Sequence, residues 1–184
     1  MEGSFRMFDY DITQYVRPGK NILAVEIIPP KKGDLTIGFV DWNPTPPDNN
    51  MGLWRGVKIK RTGTVTMNRV FVQPKVDTDS PDMALKQAWL TITADLTNHS
   101  RETVSGNVEG KIENLSFAQP YTLNPGETRK ITFDPTQFPV LHIKNPRLWW
   151  PYTIGSPELY TADLSVSVNG SVSDRSNVRF GIRE

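Results

Sequence analysis

Hydrophobic and polar residues alternate along most of this chain. In Ala88–Thr97, Leu90, Ile92, Ala94 and Leu96 share one side, while Trp89, Thr91, Thr93 and Asp95 share the other. A period of two is the geometry of a strand with one face buried. The same alternation runs through Phe5–Ile12, Thr103–Glu113, Leu159–Val168 and Ser171–Phe180. Further segments of strand length are Ile22–Ile27, Leu35–Val40, Leu53–Lys60, Val65–Pro74, Arg69–Val76 and Thr128–Phe133. Turn residues punctuate them: Arg17-Pro18-Gly19-Lys20-Asn21, Pro29–Asp34, Gly63, Asn98-His99-Ser100, Asn124-Pro125-Gly126 and Asn169-Gly170. Asn-Gly between two alternating runs predicts a tight hairpin. Asp11–Val16 reads as a short helical turn or an irregular corner. No segment keeps a 3.6-residue apolar period over three turns, so the predicted fold class is all-β, an antiparallel β-sandwich.

The strands divide into two modules, 1–66 and 67–184. The second is long enough for a complete immunoglobulin-like sandwich. The first offers only four or five strands, too few for an independent sandwich, and reads as the C-terminal portion of a jelly-roll-like one whose first strands lie upstream. Its open strand edges would leave room for strand exchange or dimerisation, or for partial disorder before residue 40.

Charge adds little. The 184 residues carry 21 Lys+Arg against 20 Asp+Glu. That balance gives no reason to expect nucleic acid or an acidic membrane as partner. Lys58-Ile59-Lys60-Arg61 is the densest basic cluster and reads as the wet face of a strand. There is no cysteine, hence no disulfide or thiolate metal site. No apolar stretch in this span has the length of a membrane helix, and no signal peptide is recognisable in it. Asn98, Asn114 and Asn169 each begin an Asn-x-Ser pattern, a weak signal for glycosylation.

Candidate chemistry is sparse. His99 and His142 lack partners at the spacing of a zinc site or catalytic triad, so no metal or cofactor is expected. Asp41 and Asp48 share a Pro-rich, stiff loop with Trp42. Two readings of that loop stay open. An indole face could pack on a sugar ring beside a carboxylate that accepts its hydrogen bonds. Alternatively, Trp42 and Trp54 anchor the loop to the core and the aspartates cap turns. Trp149 and Trp150 are adjacent on extended backbone and must face opposite ways. One can fill the core while the other covers an edge or meets a neighbouring domain, so Trp149 and Trp150 are candidates for an inter-domain contact in preference to ligand binding.

Several stretches resemble the non-catalytic domains of family 2 glycoside hydrolases. Phe8-Asp9-Tyr10-Asp11-Ile12-Thr13, with Arg17-Pro18-Gly19-Lys20-Asn21-Ile22-Leu23-Ala24-Val25, is similar to the end of that family's N-terminal sugar-binding sandwich. Asp41–Val57 resembles the motif closing that domain, in a form most similar to the exo-β-D-glucosaminidase and β-mannosidase-like branch, although Gly56 stands where Asp is usual. Asn145–Pro151 and Gly155–Tyr160, then Phe180-Gly181-Ile182-Arg183-Glu184, resemble the end of its immunoglobulin-like domain, which leads into a (β/α)8 barrel. The resemblance implies an accessory segment of a retaining, exo-acting β-glycosidase. Both catalytic glutamates would lie in the barrel, so no residue here is catalytic. The partners implied are that barrel in cis and, through the whole enzyme, a β-linked oligosaccharide. Asp41, Trp42 and Asp48 would rim the sugar pocket, and a periplasmic or extracellular bacterial location follows. A free-standing carbohydrate-binding module and an adhesive immunoglobulin-like protein are the alternatives.

Overall fold

The computed structural model describes residues 6–29, 52–53, 55–78 and 85–183. The chain divides into two compact units, Met1–Ile59 and Lys60–Glu184.

In the first unit the described residues form turns and extended chain but no strand. Thr13 N–H donates to Asp11 Oδ1 (2.9 Å), and Ile12 O accepts from Tyr15 (2.9 Å) and Val16 (3.2 Å), which makes the expected corner. Asn21 closes the Pro-Gly turn by donating to the carbonyls of Arg17 and Gly19. The strands expected at Phe5–Ile12, Ile22–Ile27 and Leu53–Lys60 are not formed over their described residues. Alternation makes a segment two-faced, but a strand also needs a ladder partner, and none pairs with these residues among those described. Leu35–Val40 lies outside the described residues.

The second unit is an antiparallel β-sandwich of two four-stranded sheets. Its strands are β1 (Val65–Val76), β2 (Gln87–Asn98), β3 (Val104–Ile112), β4 (Leu115–Leu123), β5 (Thr128–Phe133), β6 (His142–Lys144), β7 (Tyr160–Val168) and β8 (Ser171–Phe180). One sheet runs β1-β2-β5, with β6 also pairing β2; the other runs β4-β3-β7-β8. β2 has the expected faces, with Leu90, Ile92 and Leu96 fully buried. Its outer edge is shared: residues 92–97 pair with β5 and residues 87–89 with β6.

A bulge at Arg69 (φ 51°) shifts the register of β1 between Asn68 and Phe71. Val65 and Met67 point inward before it, Val72 and Val76 after it. One extra residue exchanges the faces of a strand, and here it turns Phe71 out to solvent. In β3, a side chain on Gly110 would overlap the Phe117 ring of its cross-strand partner. That ring sits edge-on to Phe133 of the opposite sheet (centroids 4.7 Å), and Phe133 meets Phe138 in the same way (5.1 Å). The three rings staple the sheets together, and truncating buried Phe133 to alanine would cost about 3–5 kcal/mol. The predicted Asn169-Gly170 hairpin is present, with φ of 49° and 77°. β4 and its turn at Glu113-Asn114 add a strand to the expected set: Leu115, Phe117, Tyr121 and Leu123 turn inward, but polar Gln119 interrupts that face.

Candidate functional site

The sandwich carries a strap at one end, residues 145–159, between β6 and β7. Arg147 ties it down. Its backbone N–H donates to Tyr160 Oη (2.7 Å), and its guanidinium lies over the Tyr160 ring (4.3 Å to the centroid). The same guanidinium binds Glu113 in the β3–β4 turn and reaches Glu158 at 3.4 Å. The Glu113 carboxylate holds Arg147 above its ordinary pKa, so it stays charged.

Leu148 then runs parallel to Ile182 in a one-residue bridge, and Trp149 N–H donates to Ile182 O (2.8 Å). Trp149 is half-buried against Gly181, where an added Cβ would come within 2.8 Å of it. Arg183 covers its ring at 5.2 Å. Trp150 N–H donates to Ser156 O (2.9 Å), and its side chain packs on Gly155. Ile154 and Gly155 close a turn on Pro151 O. Extended backbone turns the two indoles apart, as their adjacency requires. Neither fills the sandwich core: Trp149 is committed to the C-terminal segment, and Trp150 is 41% exposed. Tyr152 is 87% and Ile154 70% exposed on the same strap. A recess of about 230 Å³ lies between Leu85, Leu148, Trp150 and Arg183.

A wider groove of about 750 Å³ crosses the outer face of the β4-β3-β7-β8 sheet. Glu109, Lys111, Asp163 and Arg175 line it with alternating charge. The described residues hold no cluster of three or more metal-ligating side chains. Among them, no helix is long and apolar enough to cross a membrane.

Asp41, Trp42 and Asp48 lie outside the described residues. The histidines are structural. His99 Nε2 bonds Thr66 Oγ1 (2.8 Å), and His142 stacks on Trp89 (4.9 Å, 7° between planes) while bonding Gln87 (2.9 Å). Of the three Asn-x-Ser patterns, Asn98 is fully buried. Its Nδ2 donates to the carbonyls of Glu102 (2.8 Å), Leu123 (3.3 Å) and Asn124 (3.0 Å), so the atom a glycan would modify is occupied. Asn114 and Asn169 are exposed in hairpin turns. The partners of Arg147 and Lys60 lie 34 and 114 residues away, a separation that no local pattern encodes.

By class, the second unit is a two-sheet antiparallel β-sandwich, and the described residues hold no (β/α)8 barrel. Residues 65–183 match the family of glycosyl hydrolases family 2, and the chain belongs to that family. It is 39% identical over 184 residues to an exo-β-D-glucosaminidase of Streptomyces avermitilis, covering 99% of this chain and 20% of that protein. It is 38% identical to an exo-β-D-glucosaminidase of Arthroderma benhamiae, again over 98% of this chain and 20% of that one. The crystal structure of the Amycolatopsis orientalis exo-chitosanase superposes with a TM-score of 0.69 at 34% identity, over 80% of this chain and 16% of that one. The chain therefore spans about a fifth of the length of the curated relatives it matches.

Proposed function

We propose that this chain is the accessory, non-catalytic segment of a retaining exo-β-glycosidase acting on β-linked glucosamine, with its sandwich of the immunoglobulin-like type. The observation that carries this reading is similarity to exo-β-D-glucosaminidases along almost the whole chain, which nevertheless spans a fifth of their length. A polymer such as chitosan does not cross a membrane, which supports a periplasmic or extracellular site of action.

In this reading Asp41, Trp42 and Asp48 rim the sugar pocket. A carboxylate there would pair with the substrate's ammonium group, and an indole would pack on the ring. Charge-assisted hydrogen bonds contribute about 1.5–3 kcal/mol, so Asp41→Ala in the full-length enzyme should lower kcat/KM for a β-glucosaminide roughly 10- to 100-fold. Unchanged kcat/KM would remove Asp41 from the pocket. Binding of chitosan oligosaccharides at millimolar concentration or better by this chain alone would favour a free-standing carbohydrate-binding module instead.

The second role is to support the catalytic barrel. The strap supports this: it is fixed internally yet presents Trp150, Tyr152 and Ile154 to solvent. Aromatic side chains held rigid are effective anchors, each contributing about 2 kcal/mol or more in a buried contact. The Trp150→Ser/Tyr152→Ser double variant of the full-length enzyme should inactivate on heating several degrees below wild type. Equal inactivation temperatures would remove the strap as a contact. Trp149, expected from sequence to share this role, is engaged by Gly181, Ile182 and Arg183, so Trp150 carries the proposal.

A further inference from the structure

Lys60 belongs to no strand, and the reading of Lys58–Arg61 as a wet strand face is replaced by a specific contact. Its Nζ meets Asp174 Oδ2 at 2.7 Å and reaches Met67 O at 3.4 Å. The Asp174 side chain is only 2% exposed. Its carboxylate also accepts the N–H of Met67 (2.8 Å) and of Arg175 (2.6 Å). Next to it, Ser173 Oγ accepts Val65 N–H (2.9 Å) and donates to Val65 O (2.8 Å). Gly63 N–H donates to Ser173 O (2.7 Å), and His99 N–H donates to Thr64 O (2.9 Å). A Cβ on Gly63 would come within 2.6 Å of Ser173 Oγ.

Two successive buried polar residues break the alternation of β8. They stand where β1 and β8, edges of different sheets, have no shared ladder. Side chains replace that ladder and hold the segment that enters β1. The exposed ammonium of Lys60 supplies the one charge that the buried carboxylate needs.

We infer that the Lys60–Asp174 pair is a latch: it fastens residues 60–64 to the β8 corner, so that the connection between the two units can open only upstream of Lys60. Asp174 is then the positioning residue for the point at which the chain enters the sandwich.

Trypsin tests this on the intact chain, because Lys58, Lys60 and Arg61 offer three cleavage sites on either side of the latch. Proteolysis of a folded protein follows the population of locally open states. In wild type, cleavage should occur after Lys58 and be suppressed after Lys60 and Arg61. Asp174→Asn should raise the rate of cleavage after Arg61 roughly tenfold or more. Lys60→Met should do the same while leaving the backbone N–H donors of Met67 and Arg175 on the Asp174 carboxylate. The Lys60→Met/Asp174→Asn double variant removes both charges, so no buried carboxylate is left unpaired. Near-UV circular dichroism identifies which variants remain folded. If Asp174→Asn does not, Lys60→Met and the double variant carry the comparison. Wild-type cleavage after Arg61 as fast as after Lys58 would overturn the latch, as would unchanged cleavage in the folded variants.

Discussion

Asn98 shows how one buried polar side chain can organise its surroundings. Its Nδ2 bridges three carbonyls, its Oδ1 accepts from Ser100 N–H (2.9 Å) and Oγ (2.8 Å), and its own N–H donates to Glu127 O (2.9 Å). It therefore joins the end of β2 to the β4–β5 turn. Alanine there would leave buried carbonyls without donors, at a cost of about 2–3 kcal/mol. Asn98→Ala should melt roughly 5–10 °C below wild type, as followed by far-UV circular dichroism. Melting temperatures within a degree would show that water replaces the amide at no cost. In the sequence, Asn98 was legible as a turn residue and as part of a glycosylation pattern. Its actual role depends on carbonyls 25 and 26 residues away, which no local pattern reveals.

Among the elements, two of the sheet edges carry a feature that disfavours pairing with a foreign strand. β1 and β4 are both edge strands, and each contains a proline, Pro74 and Pro120. A proline removes one N–H from the outward row that a foreign strand would use. The N-terminal part of β1 is further covered by Ser173 and Asp174. Dimerisation through open edges is the expectation for the first module, whose strands are not formed over its described residues. Pro120→Thr restores a donor to β4 and should produce concentration-dependent dimers in sedimentation velocity. A variant that stays monomeric over the range in which wild type does would show that Pro120 guards nothing. Alternation located β2, β3, β7 and β8 well, and the Pro125-Gly126 turn marked the start of β5. Alternation missed β4 because polar Gln119 interrupts the inward face of that strand. It missed β6 because three residues are too few to show one.

For the molecule as a whole, two half-buried carboxylates contribute to the dependence of stability on pH. The Glu127 carboxyl is held below its ordinary value, first by the Asn124 backbone N–H and then by Arg129. Asp134 is held down by the Thr136 hydroxyl and then by the Thr136 N–H. A carboxyl with a lower pKa when folded binds fewer protons in the native state than in the unfolded chain. Its contribution is present above the unfolded pKa and is lost as pH falls through the folded value. The melting temperature should therefore drop as pH falls below about 4.5. The Glu127→Gln/Asp134→Asn variant should start lower at neutral pH and show a shallower acid limb. Parallel acid limbs would place the acid sensitivity elsewhere.

Strand periods, turn residues and the absence of a helical period determined that the second unit is an all-β sandwich, because burying one face of a strand imposes an alternation that can be read locally. The motifs along its length carried the family in the same local way. The arrangement in space decided the rest: a bulge re-phased β1, Arg147 bound a strap to a distant turn, and Asp174 took Lys60 from the far end of the unit. Each joins residues that are neighbours only after the sheets have closed, and side-chain partners chosen across such separations leave no period behind.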